Sequence, residues 1–202
     1  MNSRAMEALI SHCNKYFGQS DPMILHPTGE VTPHIDVLLY EPSGKYPYWK
    51  LVTMGASDYK MPHNERSLGN RNEYMILVDP SENLNDEEIL QWYHMNLLEA
   101  ATYAYATRSY VSYGHSFEWG EEEGSDMVGA YLEMPQFSQT VSFLRCKLGL
   151  LRQTVILQVI FLTRPEVDKL LEIGSEEFSN YLYPEDGGEN HILCERYRSE
   201  KF

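Results

Sequence analysis

Four groups of residues in this chain have the types and spacing that chemistry requires. Gly55-Ala56-Ser57-Asp58 follows an apolar run, as half of a nucleophile elbow would, but Tyr59 stands where G-x-S-x-G needs its second glycine. A hydroxyl there more simply forms a turn or a cap. His26, His34 and Asp36 make a second group, and His191 with Cys194 a third. Either could converge on a metal ion, yet neither has a paired second half at zinc spacing, and a structural zinc normally takes four ligands. The expectation is no stoichiometric metal, no cofactor and no catalytic residue. The fourth group is Glu118, Glu121, Glu122, Glu123 and Asp126, interleaved with Phe117 and Trp119. Aromatic anchors among carboxylates suit the docking of a basic protein partner. The competing reading is a solvated hairpin tip with Trp119 packed back onto the fold. Gly124 and three consecutive glutamates do not reproduce the ligand pattern of an EF-hand. No P-loop, G-x-G-x-x-G or H-E-x-x-H is present.

The elements that must position these groups follow from periodicity. Ala5, Leu9, Cys13 and Tyr16, joined by Met6, Ile10 and Phe17, keep helical spacing over about 4–17, with Gly18 as the C-terminal cap residue. Pro33–Tyr40 and Tyr48–Met54 flank the turn residues Glu41-Pro42-Ser43-Gly44-Lys45 and predict a β-hairpin. Glu73–Val78 predicts a buried strand stopped by Asp79-Pro80, since proline cannot donate to a ladder. Asn85 to about Arg108 carries the strongest helix signal, with Asn85 as N-cap and Asp86, Glu87 and Glu88 in the first turn. Its core face is Ile89, Trp92, Tyr93, Leu97, Ala100, Ala101 and Ala104.

Tyr113–Asp126 is expected to be a polar connection leading to a strand over Met127–Met134, with another strand over Val155–Thr163. Thr163-Arg164-Pro165-Glu166 is a capping-box pattern for a helix through Ile173, closed by Gly174. Ser175–Tyr183 predicts a short helix, Asp186-Gly187-Gly188 a turn, and His191–Tyr197 a final strand. The fold class is therefore α+β: one domain over 1–202, with a mixed, mainly antiparallel sheet packed by helices.

Charge narrows the partners. Against 30 Asp plus Glu there are only 16 Lys plus Arg, a formal charge of −14, so the field repels nucleic acid and anionic lipid. At 43% hydrophobic residues the chain is too apolar for disorder. The longest unbroken apolar run, Tyr74–Val78, falls far short of the ~20 residues a membrane helix needs. Arg4, Glu7, His12 and Lys15 interrupt the first helix, so it lacks the apolar core of a signal peptide. Cys13, Cys146 and Cys194 form no C-x-x-C pair and fit buried thiols in a reduced compartment. A cytoplasmic location is the expectation.

The segment from Trp49 to Pro62, Trp-Lys-Leu-Val-Thr-Met-Gly-Ala-Ser-Asp-Tyr-Lys-Met-Pro, resembles the signature of the suppressor of fused-like family. There a strand hairpin leads into a Thr/Ser-x-Gly-x-Ser-Asp turn, then a strand, a long helix and a later apolar strand, which matches the layout above. The carboxy-terminal helix pair and Arg196-Tyr197-Arg198-Ser199 are also similar, so the resemblance covers about 25–200. Ala56 stands where a larger apolar residue is common. The resemblance implies that Thr53, Gly55, Ser57 and Asp58 are structural, and that the protein binds another protein without catalysis. The eukaryotic member has two domains and grips an extended peptide between them; this chain is expected to hold one. Short bacterial relatives are associated with polymorphic toxin systems as immunity proteins, which makes a basic toxin domain the expected partner. The alternatives are a small cytosolic hydrolase or metal-dependent enzyme, and a sequestering partner of another cytosolic protein.

Overall fold

The computed structural model describes residues 1–27, 32–62, 68–121, 123–137, 141–182 and 192–198. The chain begins with α1 (Ser3–Phe17), followed by β1 (Met23–Leu25), β2 (Asp36–Tyr40), β3 (Trp49–Met54) and β4 (Asn72–Val78). Then come α2 (Glu87–Thr107), β5 (Ser116–Glu118), β6 (Met127–Glu133), β7 (Arg145–Lys147), β8 (Gln153–Thr163), α3 (Arg164–Ile173) and α4 (Ser175–Leu182). The strands form one sheet in the order β1-β2-β3-β4-β8-β6-β5, with β7 also paired to β8. The β4–β8 pair is parallel and the other named pairs are antiparallel, as expected for a mixed, mainly antiparallel sheet.

Strand alternation sorts the apolar side chains onto two faces, because successive residues point to opposite sides. Val37, Leu39, Leu51, Ile76, Leu157 and Phe161 pack with Tyr93, Leu97, Ala100, Ala101 and Ala104 of α2. The small alanines let this helix lie close to the sheet. On the other face Leu38, Tyr40, Val52, Met75, Leu77 and Ile156 pack with Ala5, Leu9, Cys13 and Phe17 of α1. Further along that face, Ile160 and Leu162 meet Val167 and Leu170 of α3 and Phe178 and Leu182 of α4. The result is a three-layer sandwich, which explains why β2, β3, β4 and β6 are buried along their whole length.

Local signals explain the helix ends. Asn2 Oδ1 accepts from the Ala5 amide at 3.0 Å and Gly18 takes φ 67°, closing α1 as its glycine predicts. The cap of α2 is Asp86 rather than Asn85, because Asp86 Oδ1 accepts from the amides of Glu88 and Ile89. Ile89 and Trp92 are only partly buried against the core, whereas His94, Asn96 and Leu98, which the periodicity leaves out, are buried. At α3 the expected capping box is present, and its Glu166 carboxylate also accepts from Arg198 at 2.5 Å.

Two expectations change. β5 lies inside the expected polar connection and, like β1 and β7, has only three residues. The segment 192–198 is not a strand: an isolated bridge pairs Cys194 with Val78, side-chain hydrogen bonds join it to β8, and ion pairs of Arg196 with Glu82 and Arg198 with Glu166 hold it. The turn at 186–188 lies outside the described residues. All three cysteines are free and buried, and no helix among the described residues is long and apolar enough to cross a membrane.

Lys50 is a fully buried cation on β3, with its Nζ donating to the carbonyls of Glu41, Tyr46 and Tyr48 at 2.8, 3.4 and 3.0 Å. Burial lowers its pKa to about 8. Between that value and the ordinary lysine range the unfolded chain holds a proton that the folded chain releases. This group's contribution to stability therefore rises with pH across that window. Denaturant titrations of the parent and Lys50→Met at pH 7.5 and pH 10 should show the parent gaining on the variant at the higher pH; a constant difference would contradict the assignment.

Candidate functional site

The turn after β3 is organised around a residue outside the motif. Glu73 of β4 is fully buried beneath it. Its carboxylate accepts from Thr53 Oγ1 at 2.7 Å, from the Gly55 amide at 3.1 and 3.3 Å, from the Ala56 amide at 3.2 Å and from the Ser57 amide at 3.1 Å. Thr53 Oγ1 itself accepts from the Tyr74 amide at 2.8 Å, which fixes its proton toward Glu73. Burial pushes the Glu73 carboxyl up from its ordinary value, and the hydrogen bonds from Ser57, Thr53 and the turn amides oppose that rise. Only a short reversal aims three successive amides at one carboxylate. Gly55 makes it possible with φ 135°, a region favourable to glycine alone.

Asp58 is on the rim of this turn. Its Oδ1 pairs with Arg152 at 2.5 Å and its Oδ2 with the Met1 amino group at 2.5 Å. Burial pushes its carboxyl up, but the amino group and Arg152 outweigh that and hold it below its ordinary value. Arg71 Nη1 donates to the carbonyls of Ser57 and Asp58 at 2.6 and 2.9 Å. Ser57 is fully buried with Arg152 Nη2 3.2 Å from its Oγ, an arrangement that offers no approach to a substrate and does not build a nucleophile. Lys60, Arg71, Arg145 and Arg152 line a cleft of about 480 Å³ beside the turn, so a basic partner is repelled here. Thr53, Gly55 and Ser57 thus meet on Glu73, and Asp58 on Arg152 and the Met1 amino group.

The acidic group occupies the opposite end of the order of strands, around the β5–β6 hairpin. Glu118, Glu121, Glu123 and Asp126 are exposed, and Glu122 lies outside the described residues. Glu118 pairs with Arg164 at 2.7 Å. Trp119 is turned inward: its ring meets Phe161 edge-on at 5.5 Å and lies 6.1 Å from Phe117, and its Nε1 donates to the Met127 carbonyl at 3.3 Å. The hairpin is therefore pinned from beneath while its carboxylates face water. Ser125 Oγ and the Asp126 amide both donate to the Arg196 carbonyl, which ties the hairpin to the segment 192–198.

His26, His34 and Asp36 do meet: His26 Nδ1 is 2.8 Å and His34 Nε2 3.1 Å from the same Asp36 Oδ1. Asp36 also acts electrostatically on His94 of α2, whose Nε2 is buried with no hydrogen-bond partner among the described residues. His191 lies outside the described residues; Cys194 is buried, with burial pushing its thiol up to about 12, so it is not a ready thiolate ligand. Sequence reasoning missed Glu73. An acidic residue heading an otherwise apolar strand was the available signal.

The fold is one mixed sheet covered by helices on both faces, with a carboxylate-centred turn after β3. Residues 31–193 match the family model of the suppressor of fused protein, and the chain belongs to that family. A putative suppressor of fused homologue from Neisseria gonorrhoeae superposes with a TM-score of 0.66 at 15% identity, covering 96% of each chain. A chain of a Sufu–Fu complex gives 0.65 at 14% identity over 95% of this chain and 89% of that one. Drosophila Suppressor of Fused gives 0.61 at 12% identity, and there the chain spans only 49% of the longer protein. No curated protein sequence matches the chain.

Proposed function

We propose that this protein is an immunity protein of a bacterial polymorphic toxin system, acting in the cytoplasm by binding and masking a cognate basic toxin. The observation that carries the reading is the acidic β5–β6 hairpin, with exposed Glu118, Glu121, Glu123 and Asp126 on a backbone pinned by Trp119. A toxin that acts on nucleic acid needs a basic surface for phosphates. An acidic hairpin on a chain of net charge −14 steers toward such a surface and competes with its substrate. Family membership supports a protein partner, and the Sufu–Fu complex shows that a relative of this fold assembles with another protein.

The test starts from a toxin gene adjacent to that of this protein. Co-expression should restore growth to cells making the toxin. Replacing Glu121, Glu122 and Glu123 by glutamine should slow association roughly tenfold at low salt, and added salt should slow the parent more than the variant. Because Trp119 supports the hairpin from inside, Trp119→Ala should lower stability and raise the dissociation rate together. Unchanged rates in both folded variants would place the contact elsewhere, and failure of co-expression to protect would sink the immunity role.

A further inference from the structure

We propose that His26, His34 and Asp36 form a solvent-facing site for one divalent transition ion of the zinc type. The three donor atoms lie within 4.8 Å of one another. In a tetrahedral site with bonds near 2.0–2.1 Å, donor atoms sit roughly 3.3 Å apart, so two side-chain adjustments close the triad around an ion. The parts that must move are free to do so. The imidazoles are 71% and 65% exposed, whereas the Asp36 side chain is 8% exposed and set by the pairing of Asp36 with Met54 at the start of β2. One anchored carboxylate thus faces two adjustable imidazoles.

Electrostatics favours the same occupant. Both rings converge on a single Asp36 oxygen, and a chain of net charge −14 concentrates cations around it. Two borderline imidazoles beside one hard carboxylate suit zinc and its neighbours, whereas calcium and magnesium take sets made of oxygen ligands. The four-ligand requirement that argues against a metal from sequence applies to closed structural sites. Three protein ligands with a water in the fourth position are the pattern of open ones. This inference is independent of the toxin reading.

Isothermal titration of the untagged, EDTA-stripped full chain with zinc chloride tests it. One equivalent should bind, and the melting temperature should rise with zinc concentration as linkage requires. His26→Gln and His34→Gln, which keep a side-chain donor toward Asp36, should leave the metal-free melt close to the parent's while each weakens zinc binding at least about tenfold, and the double variant should lose it. Cobalt(II) should give a visible absorption band with the parent that disappears in the double variant. The inference is overturned if no equivalent binds, or if the double variant, melting like the parent in EDTA, binds zinc or cobalt as the parent does.

Discussion

Replacing Glu73 by alanine is expected to abolish cooperative folding at room temperature. The carboxylate satisfies Thr53 Oγ1 and the amides of Gly55, Ala56 and Ser57, all in the dry interior beneath the turn. Each buried donor left without a partner costs about 1–3 kcal/mol, so four together cost about 4 kcal/mol or more, against a typical domain stability of about 5–15 kcal/mol. Glu73→Gln separates this cause from lost volume. The amide has nearly the same size, but it carries no charge and turns an NH2 group toward other donors, which should cost about 3 kcal/mol. Guanidinium titrations followed by circular dichroism measure both variants. A Glu73→Gln protein with the parent's midpoint would refute the view that the turn is built on an anion.

Gly55→Val should be nearly as damaging, for a reason of backbone rather than charge. A β-carbon at Gly55 would stand 2.5 Å from the His34 carbonyl oxygen and 3.2 Å from Ile35 Cα, both backbone atoms that no rotamer change removes. To this is added the strain of φ 135°, of order 1–3 kcal/mol for a residue with a side chain. A total near 4 kcal/mol is expected. The offending atom is the first carbon, so Gly55→Ala should already show most of the loss. Thermal melts of the two variants decide the matter: a mild alanine variant beside a severe valine one would mean that bulk, not the glycine geometry, sets the cost.

Both predictions concern one turn, and they give a reason for its glycine and short polar residues. Gly55 supplies the reversal, Thr53 supplies an oriented hydroxyl, and the amides through Ser57 close on Glu73. Asp58, outside that ring, ties the turn to Arg152 and the Met1 amino group. We infer that this turn is a folding device and that partner contact falls to other surfaces, of which the acidic hairpin is the proposed one.

What the sequence determined by itself was whatever its short-range signals encode. Helical spacing and caps set α1 and α3, the turn residues at 41–45 set the β2–β3 hairpin, and unbroken apolar character set β4 and β8. The turn motif pointed to the family, which the match over residues 31–193 shows. Tertiary structure decided the rest. β1, β5 and β7, with three residues each, are too short to carry a period and exist because a neighbouring strand offers an edge. The inward turn of Trp119, the ion-paired path of 192–198 and the burial of Glu73 depend on partners that only the folded sheet supplies. His26, His34 and Asp36 could be named as a group from their spacing, but their sharing of one oxygen required the chain to enter β2 beside the end of β3. Periodicity and capping act over a few residues and are written locally; the convergence of polar atoms is a long-range property, and only the folded chain creates it.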